Sequence, residues 1–100
     1  MIVPSVSIIV PVLNQEKWIG RCLRSLLNQS MNRNNYEIIV INDFSTDKTK
    51  SLIEDEFLQK IKLINNDRNY GKGFSVKRGI EAASGDIILI QFSYKQPLTW

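Results

Sequence analysis

Histidine is absent from this sequence of 100 residues, and cysteine occurs once. The first absence excludes His-ligated metal sites and the Ser-His-Asp or Cys-His arrangements of nucleophilic catalysis. The second excludes an internal disulfide. Cys22 lies among the apolar residues of a helix-like stretch, where a thiol serves as a small core hydrophobe rather than a nucleophile. No apolar run approaches the roughly 20 residues of a membrane span; a peripheral membrane association of the intact protein stays open and is not encoded in this stretch. The opening Met1-Ile2-Val3-Pro4-Ser5 lacks a basic region and a cleavage site, so no signal peptide is read. The cytoplasm is the expected compartment, and the Asn28-Gln29-Ser30 sequon carries no expected consequence. Glycine is sparse, and neither Gly-x-Gly-x-x-Gly nor Gly-x4-Gly-Lys-Ser/Thr occurs. That argues against an ordinary dinucleotide fingerprint or a P-loop. Basic residues are scattered without a run, so nucleic acid is not an expected partner.

What is present is a soluble globular composition, 43% hydrophobic and 23% charged, of a size for one domain. The net charge of +3 suits anionic small molecules or an anionic surface, weakly. Four short apolar, β-branched runs at 6–12, 37–41, 61–64 and 86–91 read as strands. Their lack of strict alternation predicts strands covered on both faces, as in parallel sheets.

Helical patterns lie between the runs. Asn14 is a candidate cap for a helix bearing Trp18, Ile19, Cys22, Leu23, Leu26 and Leu27 on one stripe. Ser45 or Thr46 is expected to cap a second, with Asp47 in its first turn and Leu52, Ile53 and Phe57 inward. A third starts near Phe74, carries Val76, Ile80 and Ala83, tolerates Gly79 in its interior, and stops at Gly85. The polar segment 28–35 reads as a loop. The order β-α-β-α-β-α-β predicts an α/β fold with a mostly parallel sheet and right-handed crossovers.

The expected strand order is 3-2-1-4. It puts a topological switch point between strands one and four, where open α/β sheets bind ligands at their C-terminal edge. The segments of interest are therefore Pro11–Asn14, Gln91–Tyr94 and, one strand away, Asn42 and Asp43. Asn69-Tyr70-Gly71-Lys72-Gly73 reads first as a turn before the third helix. A second reading sets its amides and Lys72 near a phosphate. The stretch 42–47 is equally a turn with a helix cap or a site where the Asp43 carboxylate accepts a hydrogen bond from a base.

Three blocks, "VSIIVPVLNQEKWIGRCLRSLLNQS", "YEIIVINDFSTDKT" and "NYGKGFSVKRGIEAASGDIILIQ", together resemble the start of glycosyltransferase family 2. The last is similar to the polyprenyl-phosphate (dolichyl-phosphate) mannosyl- and glucosyltransferase branch. The resemblance implies a GT-A fold. It also implies transfer of a sugar, with inversion, from a UDP- or GDP-sugar to an acceptor such as polyprenyl phosphate or a glycan. It implies that Pro11, Leu13 and Gln15 line the nucleotide pocket, that Ile41 flanks the base and that Asp43 bonds it.

Departures from the family pattern shape the remaining expectations. Leu13 stands where the family has tyrosine, Gln15 where it has glutamate, and Phe44 where it has a turn glycine. The family continues from the fourth strand into Asp-x-Asp, which holds the Mg²⁺ or Mn²⁺ that neutralises the leaving diphosphate. Here Phe92, Ser93 and Tyr94 follow, then Lys95. No metal ligand and no catalytic base are expected in the chain. The expected organisation is a nucleotide-sugar-binding half over 1–91 and a divergent tail over 92–100, from truncation or frame disruption. The alternatives are a non-catalytic nucleotide-binding module, or an interaction piece presenting Phe92, Tyr94 and Trp100.

Overall fold

A computed structural model of the chain describes residues 3–93. Four strands form one sheet: β1 (Val6–Val12), β2 (Tyr36–Asn42), β3 (Lys62–Asn65) and β4 (Ile87–Ile90). Helices α1 (Ile19–Leu27), α2 (Thr49–Phe57) and α3 (Lys72–Ala82) connect them. The order is β3-β2-β1-β4, all pairs parallel, as expected from the alternation of runs. Tyr94, Lys95 and Trp100, and with them most of the expected tail, lie outside the described residues.

β1 and β2 are buried along their whole length, which is why their apolar runs do not alternate. Ile8, Val10, Val12, Ile38 and Val40 pack on one face against Ile19 and Leu23 of α1 and Ile53 and Phe57 of α2. Ile9, Ile39 and Ile41 form the other face, under α3. α3 meets the sheet through its small residues, Ser75 and Gly79. A Cβ on Gly79 would stand 2.4 Å from Ile9 Cγ2 and 2.7 Å from Ile41 Cδ1. The glycine in the helix interior is its contact point with the sheet.

This close approach overturns part of the expected stripe on α3. Ile80 is 46% exposed, because the small residues take the inward positions. The helix also starts two residues before Phe74, at Lys72. It is capped by Ala83 rather than stopped at Gly85, whose N–H donates instead to Ser7 Oγ. The edge strands depart from the expectation of double coverage. Ile87 and Leu89 of β4, an edge strand, are 54% and 50% exposed. The 28–35 loop contains a short 3-10 turn, Arg33–Asn35, capped by Asn32 Oδ1.

The opposite, N-terminal edge of the sheet is tied by Glu37. Its Oε2 accepts from Ser7 Oγ at 2.6 Å, from Ser84 N at 2.7 Å and from Ser84 Oγ at 2.8 Å. Its Oε1 pairs with Lys62 Nζ at 2.8 Å. Burial pushes its pKa up, but Lys62, Ser7 and Ser84 outweigh that and hold it at about 2. Cys22 is a half-buried free thiol packed on the α1–α2 core, and burial pushes its pKa up to about 11. It is an inert packing residue, as read from the sequence.

Candidate functional site

β1 and β2 both end on the side where the switch point was expected. Beyond β1 the chain turns through Asn14, in the left-handed region at φ 52°, a conformation Asn tolerates better than most residues. The turn is cross-stitched to the loop after β2. Asn14 N donates to Ser45 Oγ at 3.0 Å, and Asn14 Oδ1 accepts from Thr46 N at 2.7 Å and Asp47 N at 3.3 Å. Gln15 N donates to Thr49 Oγ1 at 2.8 Å, and Glu16 N to Asp47 Oδ2 at 3.3 Å. The two loops therefore form one latched rim.

The expected helix caps are replaced by this latch. Asn14 does not cap α1; the helix begins at Ile19, with Trp18 as its cap residue and no side-chain bond. Ser45 and Thr46 do not cap α2 either. Asp47 does the nearest equivalent, its Oδ1 accepting from Thr49 N at 2.9 Å. Burial pushes the Asp47 carboxyl up, but hydrogen bonds from Thr49 and Glu16 outweigh that and leave it below its ordinary value. Asn and Ser carry the same signals for a cap and for a loop-to-loop bond, so sequence alone favoured the local partner.

Asp43 is the first residue past β2 and is fully buried. Its Oδ1 accepts from Asn66 Nδ2 at 2.9 Å and Tyr70 N at 2.8 Å, and its Oδ2 from Gly71 N at 2.8 Å. Gly71, at φ 100°, leads directly into α3. The turn reading of 69–73 therefore describes this segment: the amides of Tyr70 and Gly71 face a carboxylate, not an open phosphate cradle. Lys72 lies with its Nζ 5.1 Å from the Phe92 ring centroid, and Tyr70 stacks on Phe74 at 4.3 Å between centroids.

The five candidate pocket residues gather at this edge with different exposures. Pro11 and Ile41 are register partners across β1 and β2. Both are buried, and Ile41 packs toward α3. Leu13 is half-buried, whereas Gln15 is buried with its backbone N–H in the latch. Phe44 is 51% exposed at φ 65°; a non-glycine residue there costs about 1–2 kcal/mol. The family-type glycine would relieve that strain.

Sequence reading missed Asn66, Ser75 and Arg78, which surround Asp43 from β3 and α3. A signal existed. Asp43 and Asn66 are each the first residue beyond a parallel strand, and each donates its backbone N–H to the neighbouring strand end, Val12 O and Asn42 O, both at 2.9 Å. Once the strand order is known, that register puts both side chains on one rim.

The end of β4 offers Gln91, Phe92 and Ser93 beside a cleft of about 280 Å³ against Trp18, Arg21 and Cys22 of the α1 segment. Ser93 Oγ is buried and has no hydrogen-bond partner among the described residues. Phe92 is half-buried rather than presented as an open docking surface. Among the described residues no three His, Cys, Asp or Glu side chains group as metal ligands. The Lys72 ammonium over Phe92 adds a positive charge beside this strand end. These residues do not fit a divalent cation, which needs several oxygen ligands. No described helix is long and apolar enough to cross a membrane.

A parallel sheet in this order, with latched loops at the C-terminal edge beside the switch point, is a Rossmann-like α/β fold, and its structural neighbours are transferases of the GT-A type. The family model "Glycosyl transferase family 2" matches residues 7–91, and the chain belongs to that family. A Methanococcus voltae relative, named dolichyl N-acetyl-alpha-D-glucosaminyl phosphate 3-beta-D-2,3-diacetamido-2,3-dideoxy-beta-D-glucuronosyltransferase, is 36% identical over 98 residues. That match covers 92% of this chain and 30% of the relative. S. aureus TarS 1-349 in complex with UDP-GlcNAc superimposes with a TM-score of 0.82 at 31% identity, over 89% of this chain and 26% of that one. The mannosyltransferase PcManGT from Pyrobaculum calidifontis, in complex with GDP-Man and Mn²⁺, gives a TM-score of 0.82 at 26% identity, over 91% of this chain and 28% of that one. The chain thus spans less than a third of the length of each of these proteins.

Proposed function

We propose that the C-terminal edge of β1 and β2 is the donor-nucleotide pocket of a glycosyltransferase, and that its ligand is a UDP- or GDP-sugar. The observation that carries this reading is the rim itself, two loops latched through Asn14 beside the switch point. Pre-organised loops lower the ordering cost of binding. The complexes of TarS with UDP-GlcNAc and of PcManGT with GDP-Man support the ligand class. In this reading Pro11 and Leu13 wall the pocket, Gln15 supports its floor, Ile41 backs the base, and Asp43 accepts from a base N–H.

Glycosyl transfer with inversion, to polyprenyl phosphate or a glycan, is proposed for the whole protein, with this segment as its donor half. A second reading, a nucleotide-binding module without catalysis, is favoured by Phe92 and Ser93 where the family has metal-binding carboxylates. No transfer step is assigned to a metal on these residues.

Calorimetric titration with UDP, GDP and their sugars, with and without Mn²⁺, tests the reading. Binding is expected to be the same with and without the metal. Asp43→Ala is expected to weaken it by about tenfold, the scale of one lost hydrogen bond. Leu13→Tyr, which restores the family's aromatic ring, is expected to tighten it. Absence of binding to any of these nucleotides overturns the reading.

A further inference from the structure

Behind Asp43 the rim contains a buried polar centre, and its hub is Asn66. Asn66 follows β3 directly and is 3% exposed. Its Nδ2 donates to Asp43 Oδ1 at 2.9 Å and to Ser75 Oγ at 3.0 Å, and its Oδ1 accepts from Arg78 Nη1 at 2.7 Å. The orientation of this amide is determined by its partners. A guanidinium only donates, so Oδ1 must face Arg78, which leaves Nδ2 to donate to Asp43 and Ser75.

The consequence runs outward to the rim. Asp43 receives the N–H groups of Tyr70 and Gly71, and Gly71 is the left-handed residue at the start of α3. A line of directed bonds therefore connects Arg78 on α3, Asn66 after β3, Asp43 after β2, and the Tyr70–Gly71 backbone. Each bond sets the geometry of the next, in a buried setting where such networks rigidify a unique arrangement. Binding sites need this kind of support behind the groups that touch the ligand. Alanine at 66 would remove the side-chain donor to Asp43 Oδ1, leaving the Tyr70 N–H on that oxygen, and would remove the acceptor that Arg78 Nη1 meets. Aspartate at 66 would set a second carboxylate against Asp43.

We infer that Asn66, oriented by Arg78, is the positioning residue of the nucleotide pocket. It acts through Asp43, and it fixes both that carboxylate and the Tyr70–Gly71 backbone in the arrangement that receives the nucleotide. The inference rests on the nucleotide reading above and goes beyond it by assigning the pocket's geometry to residues of β3's end and α3.

Two measurements on the folded chain test it: ¹⁵N-resolved amide resonances of Tyr70 and Gly71, and calorimetric Kd for UDP and GDP. Asn66→Ala is expected to shift both amide resonances and to weaken binding about tenfold, as for loss of one directed contact. Arg78→Ala is expected to act in the same direction, and it serves where Asn66→Ala fails to fold. Ile53→Val, a core truncation on the inner face of α2, is the stability control: it lowers Tm and leaves the two resonances and Kd unchanged. A purely structural role for Asn66 would resemble this control. If the folded Asn66 and Arg78 variants leave the resonances in place and Kd within about twofold, the positioning role is overturned and the nucleotide reading stands. If the unaltered chain binds neither UDP nor GDP, the nucleotide reading is overturned and the positioning role falls with it.

Discussion

Asn14 Oδ1 lies 2.7 Å from the backbone nitrogen of Thr46, and that contact joins the loops that leave β1 and β2. The same oxygen lies 3.3 Å from Asp47 N, and Asn14 N reaches Ser45 Oγ. One short side chain thus fixes the entrance to α2 from outside that helix. The left-handed backbone of Asn14 is what turns its side chain across the gap.

Two substitutions at Asn14 separate its two roles. Asn14→Gly keeps the backbone free to adopt φ 52° and loses the side-chain bonds, at an expected cost of about 1 kcal/mol. Asn14→Ala also forces a Cβ-bearing residue without a compensating bond into the left-handed region, for about 1–2 kcal/mol more. Urea unfolding should rank the wild type first, then glycine, then alanine. Equal stability of the two variants would contradict the strain argument.

Glu37 sets an acid limit on stability. Its folded-state pKa, about 2, lies below the ordinary value of 4.5. The stabilisation is therefore complete above about pH 4.5 and is lost as pH falls toward 2. Glu37→Gln should destabilise the chain at neutral pH by about 1–3 kcal/mol, because it weakens buried hydrogen bonds to Ser7 and Ser84. It should also flatten the acid limb of the stability curve. Lys62→Ala should matter far less, by under about 1 kcal/mol, since the lysine is exposed and its pair is screened by solvent.

Gly79 reverses the usual expectation for a helix glycine. Alanine normally gains about 1 kcal/mol there. Here its Cβ meets Ile9 and Ile41 at 2.4 and 2.7 Å, and overpacking costs about 1–3 kcal/mol. Thermal unfolding of Gly79→Ala should show a lower Tm; a higher one would mean that α3 moves away from the sheet without penalty.

Phe44 makes the opposite case. Its ring is exposed and its backbone left-handed, so Phe44→Gly should stabilise the chain by about 1 kcal/mol. A loss of stability would show that the ring makes a contact that outweighs the strain.

The sheet and its order were legible because β1 and β2 are buried on both faces, and continuous β-branched runs have few other uses. The switch point followed from order alone. The rim was less legible because its partners are far apart in sequence. Asn14, Ser45 and Asp47 look like local caps until the two loops are brought together. Asn66 carried no motif; its role appears only when β3 is registered against β2. The inward position of Gly79 and the exposure of Ile80 are not legible, because the periodicity of apolar residues cannot show that a helix face buries its smallest side chains. The open faces of Ile87 and Leu89 were hidden for a related reason: an apolar run does not reveal which neighbours cover it.

Chemical-shift mapping of a UDP or GDP titration tests the central claim most directly. The amides that move are expected to be those of Leu13, Asn14, Asp43, Phe44, Tyr70 and Gly71, at the C-terminal edge of β1 and β2. The N-terminal edge around Glu37, Lys62 and Ser84 should stay still, although Arg33 and Lys62 line an open pocket there. Shifts confined to that opposite edge would contradict the assignment of the nucleotide pocket.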